Sequence, residues 1–146
     1  MNEFYEQLDN YFSVSFRVAG SGLEPSRITE LLGVKPDIEH KKGEPRILKY
    51  KNGTSKEYAP WDRGLWCLES KIDKYCKLKD HIENVLSFIE TKRESLLYLR
   101  GIGMVMDLYC GYFISPASQA GISLPCDVLK RVSELGIDVC IELYVI

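Results

Sequence analysis

The chain has 146 residues, of which 45% are hydrophobic and 27% charged, and its net charge is −2. This length suits one domain, and this composition predicts a conventional core rather than a disordered chain. The near-neutral charge excludes strong overall attraction to nucleic acid or to an anionic membrane. No apolar run approaches the about 18–20 residues of a membrane span. The acidic N-terminus lacks the layout of a signal peptide, so we expect a cytoplasmic protein.

Residues 1–10 are predicted to be an N-terminal extension that precedes a single α+β domain over residues 11–146. Three apolar residues at helical spacing predict at most one loose helical turn in the extension: Phe4, Tyr5 and Leu8. The domain opens with apolar residues in period two, typical of a strand with one apolar face: Phe12, Val14, Phe16 and Val18. A helix is predicted to begin at Pro25 and to end at Gly33, because proline favours helix starts and glycine favours C-caps.

The segment Lys35–Glu57 is locally basic, with seven Lys and Arg residues against four Asp and Glu residues, a local charge of +3. Arg46–Lys51 is predicted to be a strand, and Asn52-Gly53 after it predicts a two-residue hairpin turn. Tyr58–Gly64 is predicted to be a loop. Leu65–Ser70 then has the alternation of another strand.

The second half of the chain contains the most regular periodicities. The apolar stripe of Leu78–Lys92 predicts a helix, and Leu96, Leu97 and Leu99 extend it or form a short second helix. Met104–Ile114 is apolar on both faces, which predicts a central strand covered on both sides. Pro125–Glu134 is predicted to be a helix, and Val139–Ile146 a final strand with one apolar face.

This element order predicts the fold class. The order is β-α-β-β-α-β followed by α-β, and its first six elements match the ferredoxin-like split βαβ plan. Strands with one apolar face and amphipathic helices pack as two layers. We therefore predict an α+β two-layer sandwich, with a ferredoxin-like βαββαβ core, an added αβ unit and a mixed or antiparallel sheet.

Several segments also occur in an order that is more specific than any one of them. They are YFSVSFRVAG, PSRITELLGVKPD, KKGEPR, GLWCLES, LKDHIENVLSFIE and VLKRVSELGIDVCIELYV. From Tyr11 to Val145 this order resembles an uncharacterised bacterial family, the domain of unknown function 4279. The resemblance implies a small cytoplasmic bacterial domain, sometimes linked by association to toxin–immunity neighbourhoods. It brings no established activity and no catalytic residues.

The sequence contains no recognised motif for catalysis, a cofactor or a metal. Neither GxGxxG nor GxxxxGK(S/T) follows Gly20, and no HExxH or GxSxG is present. The five cysteines form no CxxC pair, which predicts reduced, structural thiols. His40 is interpreted as a solvated loop residue, and His81 as a residue on the flank of a helix. We therefore expect no cofactor, no metal and no catalytic residues, and the chain is more typical of a non-enzyme.

Arg46, Trp61 and Arg63 are the predicted partner- or ligand-binding residues. Trp66 lies within apolar alternation and is predicted to belong to the core. Trp61 instead lies in a polar loop and is predicted to be partly exposed. Tryptophan and arginine are enriched at binding hot spots, which favours a surface formed by these three residues.

These features favour a non-enzymatic protein-interaction module of immunity or regulatory type. Its expected partner is another protein, toxin-like or regulatory, and no membrane is expected. The alternative is a small enzyme or small-ligand binder with a cleft near residues 35–63, which would require a concave site with converging polar groups. A second alternative is nucleic-acid binding through the basic hairpin, which the interleaved acids and the net negative charge disfavour.

Overall fold

A computed structural model describes residues 10–146, so the predicted helical turn in the extension lies outside the described residues. The strands are β1 (Tyr11–Gly20), β2 (Ile38–His40), β3 (Arg46–Lys49), β4 (Ser55–Tyr58), β5 (Gly64–Glu69), β6 (Val105–Ile114) and β7 (Asp138–Val145). The helices are α1 (Pro25–Leu32), α2 (Leu78–Ile89), α3 (Arg93–Gly101) and α4 (Cys126–Glu134). A short 3-10 helix, Glu90–Lys92, separates α2 from α3 and breaks the single helix predicted to run to Lys92.

Five strands form one sheet in the order β2-β5-β1-β6-β7. β5 is antiparallel to both β1 and β2, so β1 and β2 run in the same direction on either side of it. β1 is likewise antiparallel to β5 and β6, which therefore run in the same direction. These are two interleaved split βαβ units, the predicted ferredoxin-like plan. The final helix and strand add β7 parallel to β6, and the α+β two-layer sandwich is confirmed.

One face of this sheet is covered by the helices. Alternate side chains of the central strands enter the core, among them Val14, Phe16, Trp66, Leu68 and Leu108. The helices contribute the apolar stripes predicted from their periodicity, among them Ile28, Leu32, Ile82, Leu86 and Val132. Trp66 is 0% exposed and belongs to the core, as predicted. Its indole Nε1 donates a 3.0 Å hydrogen bond to Thr29 Oγ1 on α1, so the ring's polar atom is satisfied.

The strand predicted over Arg46–Lys51 is present as Arg46–Lys49, but its predicted place as the second strand of the main sheet is wrong. The second strand of the main sheet is Ile38–His40, and Arg46–Lys49 pairs only with β4 in a separate two-stranded sheet. Every residue of β3 is exposed, so this strand contributes nothing to the core. The hairpin turn has three residues rather than two. Tyr50 N–H donates to the Thr54 carbonyl oxygen at 2.8 Å, and Gly53 at φ 87° adopts the left-handed conformation such a loop requires.

The two last strands also differ from their predicted environments. β6 is central in the sheet but covered on one face only, and Val105 on its other face is 55% exposed. In β7, Val139 packs against the core, whereas Leu143 on the same face of the strand is 63% exposed. Alternation therefore predicts which side chains share a face, but not whether another element covers that face.

Candidate functional site

The sheet face opposite the helices, which we call the open face, presents polar and aromatic side chains. All four helices bury their apolar residues in the core on the other face, so no helix of residues 10–146 covers it. The residues of the open face alternate with the core residues along each strand. They include Arg17, Ala19, Leu65, Asp107, Tyr109, Glu142 and Tyr144. This face is therefore one of the surfaces that the fold leaves open to other molecules.

A bidentate ion pair lies near the middle of the open face. Arg17 on β1 is directly opposite Asp107 on β6. The guanidinium donates from Nε to Oδ1 at 2.8 Å and from Nη2 to Oδ2 at 2.7 Å. This side-on pairing with Asp107 raises the pKa of Arg17. The guanidinium carbon also lies 4.5 Å from the centroid of the Tyr109 ring, so a cation and an aromatic ring are held together by the strand pairing.

A hydrogen-bonded group of two tyrosines and a carboxylate continues this surface toward β7. Tyr109 donates to Glu142 Oε2 at 3.0 Å, and Tyr144 contacts both of these residues through its hydroxyl group. The contact with Tyr144, burial and the bond to Glu142 raise the pKa of Tyr109. The hydrogen bonds from Tyr144 and Tyr109 lower the pKa of Glu142. Tyr109 therefore stays protonated at neutral pH, which disfavours phenolate chemistry at this position.

Four side chains at the other end of the open face form what we call the Trp61 cluster: His40, Arg46, Tyr58 and Trp61. The His40 and Trp61 rings are stacked, with centroids 3.8 Å apart and planes 9° from parallel. The Arg46 guanidinium carbon lies 4.4 Å from the Trp61 ring centroid and 5.1 Å from that of Tyr58. Backbone bonds fix the loop, because Gly43 N–H donates to the Trp61 carbonyl oxygen at 2.7 Å.

His40 is the main correction to the sequence interpretation. It is not a solvated loop residue but the last residue of β2, and it is only 7% exposed. Within residues 10–146, neither of its ring nitrogens has a hydrogen-bond partner. Burial lowers the pKa of His40, with a smaller contribution from Arg46 in the same direction and an opposing one from Glu44. The imidazole is therefore neutral at pH 7, with its polar atoms unsatisfied.

A cleft of about 280 Å³, which we call the Trp61 cleft, lies between the Trp61 cluster and the open face. Its floor is apolar and comes from three strands: Ala19, Leu65 and Val105. Its walls are polar and charged, formed by the ion pair of the open face and by the loop before β5: Arg17, Asp107, His40, Asp62 and Arg63. The cleft therefore combines an apolar surface with converging polar groups, as small-ligand sites do.

The structure brings the three predicted site residues to one end of the molecule. Arg46 contacts Trp61, and Arg63 lines the same cleft as Trp61. Trp61 is half-buried, in agreement with its predicted partial exposure. Sequence reasoning missed His40, Arg17 and Asp107. A signal existed for the last two, because each is the single charged residue within an otherwise uncharged strand.

The described residues offer little for nucleophilic catalysis. Ser70 Oγ and His81 Nδ1 are 2.7 Å apart, but within residues 10–146 no acidic side chain is hydrogen-bonded to His81 Nε2, so the carboxylate of a catalytic triad is missing. All five cysteines are free thiols. Burial raises the pKa of Cys67 and raises that of Cys110 to about 12, which leaves both thiols unreactive. Residues 10–146 hold no group of three or more His, Cys, Asp or Glu side chains suited to a metal ion.

The fold and this surface define a ferredoxin-like α+β domain with an uncovered sheet face and a cleft at one end of it. A family model described as Domain of unknown function (DUF4279) matches residues 9–146, and the chain belongs to that family. The resemblance predicted from the order of its segments is thereby confirmed. Searches of the curated proteins and of the solved structures found no match. None of the helices within residues 10–146 is long and apolar enough to cross a membrane. The function must therefore be argued from the site.

Proposed function

We propose that this domain is a non-enzymatic protein-interaction module, which binds an acidic surface of a partner protein through its basic hairpin and the adjoining Trp61 cluster. We define the basic hairpin as residues 46–58. The proposed partner is a toxin-like or regulatory protein, and the proposed location is the cytoplasm. The observation that supports this proposal best is that the Lys and Arg side chains of the basic hairpin form no salt bridges within the described residues.

The basic side chains of the hairpin and of the Trp61 loop (residues 59–63) are not paired with acidic side chains of residues 10–146. Within residues 10–146 none of five basic residues forms a salt bridge: Arg46, Lys49, Lys51, Lys56 and Arg63. Of the other fourteen Lys and Arg residues in this range, seven do, for example Lys71 with Asp37, and Arg131 with Glu83 and Glu90. The hairpin therefore keeps its charges available for another molecule.

The strand pairing also places two of these cations, Arg46 and Lys56, on the opposite face of the hairpin from Glu57. Arg46 is opposite Tyr58, and Leu48 is opposite Lys56, so these four side chains share one face of the hairpin. That face has two cations, an aromatic ring and an exposed leucine, but no carboxylate, because Glu57 pairs with Ile47 on the other face. Glu57 follows Lys56 in the sequence, but successive side chains of a strand point to opposite faces, so the two charges are separated. Arginine and aromatic side chains on one face are typical of binding hot spots.

An acidic protein fits this face better than the alternatives do. Unpaired surface cations steer an acidic partner and increase its association rate, an effect that salt weakens. Nucleic acid is a poorer fit, because the open face carries Glu69, Asp107 and Glu142, and β5 presents no aromatic ring there for base stacking. Catalysis is also disfavoured, since no nucleophile and base converge in the Trp61 cleft.

The test compares two variants with the same change in charge. The first replaces Lys49, Lys51 and Lys56 with glutamate. The matched control replaces Lys77, Lys92 and Arg93 with glutamate, because these residues are also exposed and lie near α2 and α3, away from the hairpin. Wild-type protein and both variants are used to capture partners from a host lysate, and the affinity of the purified partner is then measured by calorimetry at two salt concentrations.

We expect the hairpin variant to bind the partner at least about tenfold more weakly, as the loss of several rim charges implies, and the control to bind within about threefold of wild type. The wild-type affinity should decrease as salt increases. Equal binding by both variants would contradict the proposal. Capture that is abolished by nuclease treatment would favour the nucleic-acid alternative instead.

A further inference from the structure

We propose that the Trp61 cleft is a binding site for a small monocarboxylate with an apolar body. This site adjoins the proposed protein interface and shares His40 and Trp61 with it, but it uses the floor of the open face and not the lysines of the hairpin. Its evidence consists of an unsatisfied buried imidazole, two guanidinium groups with free donors and an apolar floor. Each of these features matches one part of such a ligand.

The fold supplies no well-formed hydrogen bond to the imidazole of His40 within residues 10–146. The ring is 7% exposed and lines the cleft, and neither nitrogen has a hydrogen bond of normal geometry within residues 10–146, although the nearby Arg63 backbone acts to raise the pKa of the imidazole against the effect of burial. Buried polar groups in native proteins are nearly always hydrogen-bonded, so each exception requires an explanation. A ligand oxygen in the cleft would accept the single N–H of the neutral ring.

Two arginines of the cleft retain donors for a carboxylate. Arg17 uses Nε and Nη2 for Asp107, which leaves Nη1 without a partner, and Arg63 forms no salt bridge within the described residues. Guanidinium groups match the planar geometry of a carboxylate. The charges of Asp62 and Asp107 balance those of the two arginines, so a carboxylate would be held by the free guanidinium donors rather than by a net positive field, and a phosphate dianion would be repelled by the two carboxylates more than a monoanion.

The remaining surface of the cleft favours an apolar body of limited size. The floor consists of Ala19, Leu65 and Val105, and the Trp61 ring forms a wall. Val105 is 55% exposed, so a ligand would remove its side chain from water. A volume of about 280 Å³ is at the lower end of the range for ligand pockets. It suits a single aromatic ring with its carboxylate better than a nucleotide or a larger cofactor.

Benzoate, its uncharged isostere benzamide and inorganic phosphate are suitable probes, titrated into the full-length protein and followed by NMR of the backbone and indole N–H groups. The two tryptophans provide an internal control, since Trp61 borders the cleft and Trp66 lies in the core on the other face. We expect benzoate to shift the Trp61 indole signal and to leave that of Trp66 unchanged. Benzamide and phosphate should each bind at least about tenfold more weakly, because each lacks either the charge or the apolar body.

Two substitutions at exposed positions test the assignment without threatening the fold. Arg63→Gln should weaken benzoate binding about tenfold, and Val105→Asp, which adds a negative charge to the floor, should abolish it. Lys49→Gln on the hairpin is the matched control and should have no effect. Equal affinity for benzamide, unchanged binding by Arg63→Gln, or shifts confined to another surface would overturn the proposal. Benzoate binding that survives the hairpin charge reversal would show that the two proposals succeed or fail separately.

Discussion

The two faces of the main sheet use the same strands for different purposes. On β1, Val14, Phe16 and Val18 are buried under the helices, while Ser15 and Arg17 between them lie on the open face. The covered face is held together by apolar packing, and the indole N–H of its Trp66 is hydrogen-bonded to Thr29. The open face is held by ion pairs, stacked rings and hydrogen bonds, and it ends in a cleft. One face of the sheet thus supplies the core, and the other is the surface to which we assign the proposed ligand site.

Two tryptophans five positions apart show this division most clearly. Trp66 is 0% exposed, and its indole N–H is bonded to Thr29. Trp61 is half-buried, stacked on His40 and in contact with Arg46. Trp66 fills part of the core. Trp61 instead covers the buried imidazole of His40, whose nitrogens have no hydrogen bond of normal geometry within residues 10–146. The comparison predicts very different costs for removing each ring.

The largest effect is expected from Trp66→Ala. It leaves a cavity in the core and removes the hydrogen bond to Thr29, so the free energy of unfolding should fall by about 3–5 kcal/mol. Chemical denaturation monitored by circular dichroism measures this loss. Thr29→Val tests the hydrogen bond alone and should cost about 1 kcal/mol. A loss of less than about 1 kcal/mol for Trp66→Ala would mean that the helix-covered face is not the stabilising one.

The ion pair of the open face should have a smaller effect. The side chains of Arg17 and Asp107 are 35% and 20% exposed, between a surface salt bridge and a buried one. Asp107→Asn should therefore lower the free energy of unfolding by about 1–2 kcal/mol. A double-mutant cycle with Arg17→Gln isolates the coupling between the two side chains. The more exposed pair of Lys41 with Glu24 is the control and should show much weaker coupling, because solvent screens it. Equal coupling in both pairs would contradict a specific role for the strand-held pair.

The sequence predicted the covered face far better than the open one. The period of two in β1 and the stripe of α2 identify core residues, because burial selects apolar side chains at regular spacing. The second sheet strand was misplaced, because Ile38–His40 is short, while Arg46–Lys49 has the stronger local signal. Hairpin propensity is local, whereas membership of the main sheet depends on pairing with β5, a distant segment.

The candidate site was predictable only in part. Trp61, Arg46 and Arg63 stand out as aromatic and basic residues within one loop region, and they do lie together. His40 could not be recognised, because its burial depends on Leu65 opposite it and on Trp61 stacked against it. The ion pair joins residues 90 positions apart, a separation that no local pattern encodes. Long-range strand register, rather than residue type, determines the cleft.

Trp61→Ala should affect stability much less than the loss of Trp66. It removes a stacked aromatic contact with His40 and the contact with Arg46, which together imply a loss of about 1 kcal/mol or somewhat more. The melting temperature of the variant measures this loss, and Trp61→Phe, which keeps a ring, should restore most of it. A decrease as large as that of Trp66→Ala would identify Trp61 as a core residue and would remove the argument for a recognition role.

The smallest effect is expected from pH, because it changes protons and removes no contact. His40 on the open face and His81 in the core both have a pKa lowered by burial from the ordinary value of 6.5. At a pH between 6.5 and the lowered pKa values of these two histidines, the unfolded chain binds more protons than the folded chain. The stability that depends on these two neutral histidines should therefore be fully present above about pH 6.5 and decrease as the pH falls below it. Melting temperatures between pH 7.5 and 5.5 measure this dependence.

Single substitutions can assign this pH dependence to the two faces. His40→Phe keeps a ring against Trp61 but cannot titrate, and His81→Gln removes the titrating group of the core. Around His40, Glu44 and Asp62 oppose the shift and Arg46 supports it, while Asp73 and Asp80 oppose it at His81. The lowered pKa values of Asp37, Glu90 and Glu142 affect stability only at lower pH. Each variant should flatten the dependence, and an unchanged slope for His40→Phe would mean that His40 accepts a proton as readily in the folded chain as in the unfolded one.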